Sequence, residues 1–520
     1  MKNRSSLMPP VDECKGAIHL LLLLAGLKLA IHLAVNLAGG YGLFRDEFYY
    51  IACSQRLAWG YVDQPPFSLA VLKLVLALLG DSLFVVRLLP AILGAMVVFM
   101  SGWLARELGG KKLSITAAAL MTLWAPALLG THGYYSMNSF DLLFWTLSIY
   151  LTIRLTRNDQ PKQWILLGII LGLGLLNKIS VLWLGAGLLV AWLATPHRHW
   201  LTSRGVWTAA AIAALLFLPH VIWQWLNGFP TLEFIKNATA QKYVPVSAIA
   251  LLGQQALIMN PITLPLWLGG VLYFLLAPKV KTFRFLPILY ATVFLILVIN
   301  KNSKVEYLTP LFPLLFAMAA FSLEQFIQKY RWGWLKIPAA VLLTVTGIAT
   351  APFALPVLPV KTYIAYAQKM GMQPTTSEKK ELAQLPQFYA DMFGWEKMTK
   401  IVAEAYASLT PEEKSACTIF CNNYGEAGAI DYYGRGYGLP NAISGHNNYW
   451  LWGPQGKTGR VVIHLGGSRK ALLATYEQVS KSDVFQDEYC MPYENNQTIF
   501  ICKNRRRSLR EDWPALKHYQ

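Results

Sequence analysis

Residues 45–50 read RDEFYY and residues 61–66 read YVDQPP, and both stretches follow the first long apolar run of the chain, residues 16–38. A run of this length is typical of a membrane-spanning helix, because about 20 apolar residues cross the hydrocarbon layer. Acidic side chains placed directly after such a helix lie close to the membrane surface. The stretch therefore predicts an α-helical membrane protein with chemistry at that surface.

The composition agrees with a polytopic membrane protein. Of the 520 residues, 55% are hydrophobic and only 14% are charged, which is too apolar for an ordinary soluble globule. The apolar run 67–79 is short and lies between Pro66 and Gly80, so we expect a surface or re-entrant helix there. The remaining runs predict about eleven spans, near residues 16–38, 85–105, 113–130, 138–154, 163–177, 179–195, 205–226, 250–277, 284–300, 307–328 and 335–357.

The distribution of basic residues predicts the orientation, because Lys and Arg accumulate in cytoplasmic loops. With a cytoplasmic N-terminus, the loops near residues 106–112, 154–162, 279–284 and 329–336 are basic and cytoplasmic, whereas the connection 131–137 has no Lys or Arg. This places the first loop, 41–84, and everything after about residue 360 outside the cytoplasm, as expected for an inner-membrane protein. Loops facing anionic lipid also account for much of the net charge of +18, so nucleic acid is a poor explanation for it.

The pattern changes after the last apolar run and predicts two domains. Residues 1–358 form a transmembrane domain with the first outer loop 41–84, and residues 359–520 form a small extracytoplasmic α/β domain. Strands are expected near 418–420, 461–465 and 498–501, and helices near 425–433 and 470–479, with helical periodicity over 380–406. Cys490 and Cys502 flank an expected hairpin with a turn at Asn495-Asn496; a disulfide across its strands and free buried thiols are both open.

The first loop holds the main catalytic candidates, Asp46 and Glu47. Because the two are adjacent, one can act as a general base for a hydroxyl or amine while the other supports it. Tyr49 and Tyr50 follow as aromatic candidates for substrate contact. The alternative is a solvated acidic loop beside an aromatic interface belt.

Asp141 lies three residues inside the expected span 138–154, and an acid within a membrane helix is costly and usually functional. Its position near the start of the helix also allows a simple capping role. Four cations on the outer side suggest an anionic partner such as a lipid phosphate, with snorkelling to headgroups as the alternative. They are Arg87, Lys178, Lys301 and Lys304.

Two further patterns leave alternatives open. Lys28, His32 and Asn36 share one face of the first span, which fits either helix packing or an ion pathway. The stretch 445–452, GHNNYWLW, suits stacking on sugar rings but also core packing.

Taken together, the motifs resemble the GT-C class of membrane glycosyltransferases that use polyprenyl-phosphate sugars. The nearest likeness is to the bacterial branch related to protein O-mannosyltransferases and lipid A aminoarabinose transferases. The resemblance rests on residues 46–50, 60–66, 87–90, 141–145, 176–178 and 306–313, and on 423–427 and 445–447 in the outer domain.

The resemblance implies an inverting transfer of a sugar from a polyprenyl phosphate to a glycan, lipid or protein acceptor in the cell envelope. Asp46 would be the base, Asp141 a second acid, and Lys178 with Lys301 or Lys304 would hold the donor phosphate. Relatives often have His or Lys where this chain has Gln64. A metal is optional: Glu47 and Asp63 could bind a divalent cation with ordered water.

Two other classes of function remain open from the sequence. A membrane transporter or lipid-carrier translocase would use the stripe formed by Lys28, His32 and Asn36. A non-catalytic membrane assembly factor would use the outer domain to bind glycan or protein. The clustering of acids and cations near the outer surface favours the transferase over both.

Overall fold

The computed structural model describes residues 11–242, 244–301, 304–376 and 378–520, with side chains from residue 16 onward. Contacts between Cα atoms divide these residues into two compact units. The first unit contains the residues up to Ala38 together with Phe84–Trp223 and residues 244–358. The second contains Gly39–Leu83, residues 224–242 and Pro359–Gln520. The boundary expected between residues 358 and 359 stays a prediction.

The described part of the first unit is helical. Its α-helices are Val11–Ala38, Leu83–Glu107, Lys112–Leu123, Pro126–Thr131, Met137–Leu155, Pro161–Asn177, Val181–Leu193, Arg204–Leu226, Ala248–Ile258, Leu264–Leu276, Phe285–Asn300, Phe312–Tyr330 and Lys336–Thr350. Short 3-10 helices join or extend them at Pro196–Thr202, Pro261–Thr263, Pro278–Phe283, Val305–Leu311, Gly333–Leu335 and Ala351–Phe353.

This unit carries the membrane spans. Among the described residues, five helices are long and apolar enough to cross a bilayer, or six if the bent pair Ala248–Ile258 and Pro261–Leu276 is one span. Their outer faces expose large apolar side chains, such as Leu215 at 70% and Trp207 at 66%. Exposed apolar surface of this extent fits contact with lipid. The protein is thus a multi-pass membrane protein, and the count of eleven spans stays a prediction.

Prolines explain why some apolar runs form two helices instead of one. The run 113–130 is interrupted because one helix ends at Leu123 and the next begins at Pro126. Proline has no N–H to continue a helix, but it fits the first turn of a new one. The run 250–277 bends by 114° at the break before Pro261.

The second unit has a five-stranded mixed sheet, the small α/β fold expected for the outer domain. The strands are β1 (Cys417–Cys421), β2 (Ala442–Ser444), β3 (Val461–Leu465), β4 (Tyr476–Phe485) and β5 (Gln497–Arg505). They lie in the order β2-β1-β3-β5-β4. Strand β1 is parallel to β2 and β3, whereas β5 is antiparallel to β3 and β4.

Helices surround this sheet and extend into the first loop. They are Arg45–Gln55, Phe67–Leu79, Pro230–Gln241, Val360–Lys369, Gln387–Ala390, Trp395–Ala407, Pro411–Ser415, Tyr424–Tyr433, Asn447–Leu451, Arg469–Thr475 and Leu509–Asp512. Two 3-10 helices are Gly434–Tyr437 and Trp513–Leu516. The helix Phe67–Leu79 confirms the helix expected at 67–79; it ends at Gly80, whose φ of 87° suits glycine.

Two sequence expectations in this unit need correction, and the structure bears on one alternative that was left open. The helix expected at 470–479 ends at Thr475, and the next residues belong to β4. The helical periodicity over 380–406 corresponds to Gln387–Ala390 and Trp395–Ala407 with a break between them. Cys490 and Cys502 are both buried and unpaired, so the structure agrees with free thiols.

Two helices of the second unit pack closely because of small residues. A Cβ atom added at Gly428 would lie 2.8 Å from Cβ of Phe48, and one added at Gly425 would lie 2.5 Å from Cγ of Arg45. Both distances are shorter than normal contact. The two glycines therefore allow helix Tyr424–Tyr433 to approach helix Arg45–Gln55, the helix that carries the acidic pair.

Candidate active site

The start of helix Arg45–Gln55 is fixed by hydrogen bonds on both sides. The backbone N–H of Arg45 donates to the carbonyl of Asp391 (3.0 Å). The backbone N–H of Phe44 donates to Oε2 of Glu47 (2.8 Å), and Glu47 is fully buried. A glutamate that reaches back in this way caps the helix. The geometry thus places Glu47 in support of its neighbour Asp46.

Asp46 lies on the same helical turn but is accessible. About a third of its side chain is exposed, 34%. Its Oδ1 accepts a hydrogen bond from the hydroxyl of Tyr424 (2.9 Å) and another from Nε of Arg45 (3.3 Å). Oδ2 has no hydrogen-bond partner among the described residues. One oxygen of this carboxylate is therefore anchored, and the other is open to a substrate.

Arg45 is itself held in place, so it can act as a fixed donor. Its side chain is 10% exposed, and its guanidinium lies 3.6 Å from Oδ2 of Asp391 and donates to the hydroxyl of Tyr493 (2.6 Å). The guanidinium carbon also lies 5.6 Å from the ring centre of Tyr424. Such a planar, fully charged group orients a carboxylate well.

A second carboxylate, Asp63, is held by Tyr49. The Tyr49 hydroxyl donates to Oδ1 of Asp63 (2.9 Å) and lies 3.1 Å from Oδ1 of Asn448. The same oxygen of Asn448 accepts from the backbone N–H of Val62 (2.7 Å). Asn448 therefore connects the turn that contains Asp63 to the helix that contains Tyr49.

Burial changes the titration of two carboxyl groups in this unit. It raises the pKa of Asp63 to about 6, while the hydrogen bond from Tyr49 opposes that rise. Burial also raises the pKa of Asp391 to about 6, against the opposing charge of Arg45. Desolvation disfavours the charged form of an acid, which is why both values rise. Both groups therefore titrate close to neutral pH.

The first unit contains a separate cluster around Asp141. The side chain of Asp141 is 2% exposed. Both of its oxygens accept from the hydroxyl of Ser180, at 3.1 Å and 3.0 Å, and Oδ2 lies 3.6 Å from Nζ of Lys178. The N-cap of its helix is instead Ser136, which accepts from the N–H of Asn138. The structure thus gives Asp141 tertiary partners and no capping role.

Lys178 is a partly exposed cation in this cluster. Its Nζ donates to Oδ1 of Asn138 (2.7 Å) and lies 5.3 Å from the ring centre of Tyr307. Its side chain is 15% exposed. Burial of this degree with a fixed geometry is unlike a lysine that snorkels freely, and it would suit contact with an anion.

The other predicted site residues differ in how exposed their side chains are. Arg87 is buried at 2% exposure and Tyr50 at 6%. Lys301 follows helix Phe285–Asn300 in a left-handed conformation, with φ of 54°, and is exposed. Lys304 is half-buried, and residues 302 and 303 between the two lie outside the described residues.

Two of the three residues in the polar stripe of the first span, Lys28 and His32, lie within hydrogen-bond distance of backbone carbonyls. Nζ of Lys28 donates to the carbonyl of Leu128 (3.1 Å), and the two ring nitrogens of His32 lie 3.0 Å and 3.1 Å from the carbonyls of Lys28 and Leu129. Leu128 and Leu129 lie in the short helix Pro126–Thr131, whose last carbonyls lack helical partners. These contacts fit a packing role for the stripe.

Within the described ranges, no group of three or more His, Cys, Asp or Glu side chains could hold a metal ion. Glu47, one of the two residues expected to bind a cation with ordered water, accepts from the backbone of Phe44.

Sequence reasoning missed Tyr424 and Asn448 as partners of the acidic loop. Both belong to motifs that stood out in the sequence, at 423–427 and 445–448, but their contacts are far away along the chain. Tyr424 follows Asn423, whose Oδ1 accepts from the backbone N–H groups of Gly425 and Glu426 (2.8 Å and 3.0 Å). An Asn before a helical stretch is a capping signal. It could have located the start of the helix, but it does not indicate which residue the side chain of Tyr424 contacts.

Comparison with known proteins gives a partial match in sequence. Residues 63–223 match a family model described as dolichyl-phosphate-mannose-protein mannosyltransferase. A lipid A galacturonosyltransferase, RgtD, from Rhizobium johnstonii is 29% identical over 182 residues, which cover 35% of this chain and 38% of that protein. A second relative, from Pseudomonas aeruginosa, is an undecaprenyl phosphate-alpha-4-amino-4-deoxy-L-arabinose arabinosyl transferase. It is 28% identical over a stretch that covers 33% of this chain and 34% of that protein. The chain thus matches little more than a third of the length of these curated relatives.

Comparison with solved structures covers nearly the whole molecule. The crystal structure of ArnT from Cupriavidus metallidurans bound to undecaprenyl phosphate aligns with a TM-score of 0.62 and 15% identity, covering 94% of this chain and 98% of that one. Its apo form aligns with a TM-score of 0.59. RgtD and the arabinosyl transferase are named as enzymes that transfer a sugar, which favours a glycosyltransferase over the transporter alternative. The chain has the fold of ArnT, and the resemblance to GT-C membrane glycosyltransferases predicted from its motifs is confirmed.

Proposed function

We propose that this protein transfers a glycosyl group from a polyprenyl-phosphate-linked sugar to an acceptor at the outer face of the cytoplasmic membrane, with inversion at the anomeric carbon. The observation that carries the proposal is the geometry of Asp46, with Oδ1 anchored by two donors and Oδ2 unoccupied on an accessible side chain. The donor and acceptor classes are those named for the relatives, undecaprenyl phosphate and lipid A.

In the proposed reaction, Oδ2 of Asp46 takes the proton of the acceptor hydroxyl. The acceptor oxygen bonds to the anomeric carbon while the bond from that carbon to the phosphate oxygen breaks, and the polyprenyl phosphate leaves with the electron pair. A base held in reach of the acceptor contributes both proton transfer and orientation. Glu47 supports Asp46 from the same helical turn, where its Oε2 accepts from the backbone N–H of Phe44.

In the first unit, Lys178 would bind the donor phosphate. Its ammonium is fixed by Asn138 and Asp141, and a charge held in place needs no reorganisation as negative charge develops on the leaving group. Asp141 would orient this lysine. Lys301, Lys304 and Arg87 remain further candidates for the phosphate, and Tyr49, Tyr50 and Asp63 for the sugar or acceptor.

The first experiment supplies purified protein in lipid with undecaprenyl-phosphate sugars and a lipid A acceptor. It compares wild type with Asp46→Asn, and Asp483→Asn on strand β4 is the matched control because Asp483 is an exposed carboxylate. We expect equal transfer by wild type and the control, and turnover at least about 10²-fold lower in Asp46→Asn. If Asp46→Asn retained wild-type turnover, Asp46 would not be the base.

A second experiment addresses the orientation of the chain, with the second unit outside the cytoplasm. We propose to introduce Ser482→Cys at an exposed position of β4 and to label intact cells with a membrane-impermeant maleimide. Five native cysteines are buried and should react slowly with the maleimide: Cys53, Cys417, Cys421, Cys490 and Cys502. Labelling in intact cells is expected, whereas labelling only after the membrane is opened would contradict this orientation.

A further inference from the structure

Two stacked tyrosines connect two carboxylates of the second unit, Asp46 and Asp63. The rings of Tyr49 and Tyr424 lie 4.6 Å apart at an interplanar angle of 30°. Tyr424 donates to Asp46, and Tyr49 donates to Asp63, both at 2.9 Å. Each carboxylate therefore takes its hydrogen bond from a different ring of the same stack.

Tyr424 is held rigidly from the side of the sheet. It begins helix Tyr424–Tyr433, directly after strand β1 and the capping residue Asn423. Its backbone N–H donates to Nδ1 of His446 (3.4 Å), and the two rings lie 4.6 Å apart. The hydroxyl therefore has a fixed position, which a residue on a free loop would lack.

We propose that Tyr424 is a positioning residue for the transfer reaction: its hydroxyl holds Oδ1 of Asp46, so that Oδ2 is presented to the acceptor. This inference rests on the proposed role of Asp46 as the base. It makes the α/β domain a part of the catalytic apparatus, beyond any role in binding substrate. Tyr424 itself needs no contact with substrate.

The chemistry of Tyr424 suits a donor and excludes a base. Burial raises the pKa of Tyr424 well above its ordinary value, and the negative charge of Asp46 acts in the same direction. The phenol thus stays protonated and can only donate to the carboxylate. With Arg45 as the second donor on the same oxygen, rotation of the carboxylate would break two charge-assisted hydrogen bonds.

The test uses Tyr424→Phe, which keeps the ring and removes only the hydroxyl. We expect kcat to fall by about 10- to 100-fold, the effect of losing one hydrogen bond to a charged group, while KM for donor and acceptor stays within about twofold. In the Asp46→Asn background the same change should have no further effect, because the two residues act as a unit.

Tyr449→Phe is the matched control. Tyr449 is fully buried and so cannot stack on a sugar, and its hydroxyl also donates to an aspartate, Oδ2 of Asp431, at 2.8 Å. Tyr449→Phe should leave kcat unchanged. Wild-type kcat in Tyr424→Phe would overturn the inference, as would a raised KM with unchanged kcat, or an equal loss in both variants accompanied by a lower Tm. Wild-type turnover by Asp46→Asn would instead refute the proposed base, so the two failures are distinguishable.

Discussion

Asp46 and Asp141 are both partnered aspartates near the start of a helix, but their oxygens are used differently. Both oxygens of Asp141 are bonded to Ser180, a lysine lies beside them, and the side chain is almost inaccessible. Asp46 has two donors on one oxygen, none on the other, and a side chain that is 34% exposed. A carboxylate whose oxygens are all occupied can orient a neighbour, whereas one with an open oxygen can accept a proton. The difference supports the proposed roles, with Asp141 as the supporting acid and Asp46 as the reacting one.

The largest expected effect is a loss of turnover when Asp46, the proposed reacting acid of the two, is replaced. Asp46→Asn should lower kcat by about 10²- to 10⁴-fold, the usual contribution of a general base, while the free energy of unfolding changes little because the side chain is accessible. The measurement is turnover together with thermal unfolding in the same detergent. A large fall in Tm would show that Asp46 has a mainly structural role.

For Asp141, the proposed supporting acid, we expect the opposite pattern, a loss of stability. Asp141→Leu should lower the free energy of unfolding by about 3 kcal/mol, because it leaves the ammonium of Lys178 without its buried partner. The double variant Asp141→Leu with Lys178→Met should recover much of that loss, and thermal unfolding measures both. If the single variant unfolds like wild type, the pair is not a structural ion pair.

A third prediction tests the packing that brings Tyr424 to Asp46. Gly428→Val places atoms against Phe48, where a Cβ already has only 2.8 Å, so the two helices must separate. Overpacking of this kind costs about 1–3 kcal/mol, and turnover should fall with it. Gly436→Val is the control, since a Cβ there meets open space. Equal stability of the two variants would contradict the close approach.

The pH dependence of stability gives a further test, because Asp63 titrates near neutral pH. Its pKa is raised to about 6, so its contribution to stability is present below pH 4 and is lost as the pH rises through 6. The difference between this pKa and the ordinary pKa of an aspartate corresponds to a contribution of about 2–3 kcal/mol to the free energy of unfolding. Thermal unfolding between pH 4 and 8 should therefore become less pH-dependent in Asp63→Asn. An unchanged slope would mean that Asp63 is ionised throughout.

The smallest expected effect concerns Gln64, next to Asp63. Among the described side-chain amides, Gln64 is the one whose nitrogen and oxygen are both buried and without a hydrogen bond. Gln64→Leu removes these polar atoms at similar volume and should raise the free energy of unfolding by about 1 kcal/mol. Chemical unfolding of the two proteins measures it, and a destabilised variant would show that the amide has a partner in solution.

The sequence was sufficient for most elements and for the acids at the centres of the two clusters, Asp46 and Asp141. Apolar runs located the helices of the first unit, and short β-branched runs located β1, β3 and β5. It failed at β4, an edge strand that pairs only with β5 and has a bulge between Lys481 and Asp483. Most of its side chains face solvent, so no apolar alternation marks it.

The pairing of Tyr424 with Asp46 could not be predicted because it depends on tertiary packing. The two residues are 378 positions apart, and no local pattern specifies which helices meet. The small residues Gly425 and Gly428 permit the approach, but a glycine in a sequence does not identify its neighbour. The same limit applied to Asn448, which contacts Tyr49 at a separation of 399 residues.

The distance along the chain between Tyr424 and Asp46 also has a consequence during biosynthesis. At translation rates of about 5–20 residues per second, a separation of 378 residues corresponds to a delay of roughly 20–75 s between the two. During that interval Asp46 has left the ribosome, but the hydroxyl that orients it does not yet exist. A nascent or prematurely terminated chain would thus lack an oriented base, which would keep unfinished protein from consuming the lipid-linked sugar pool.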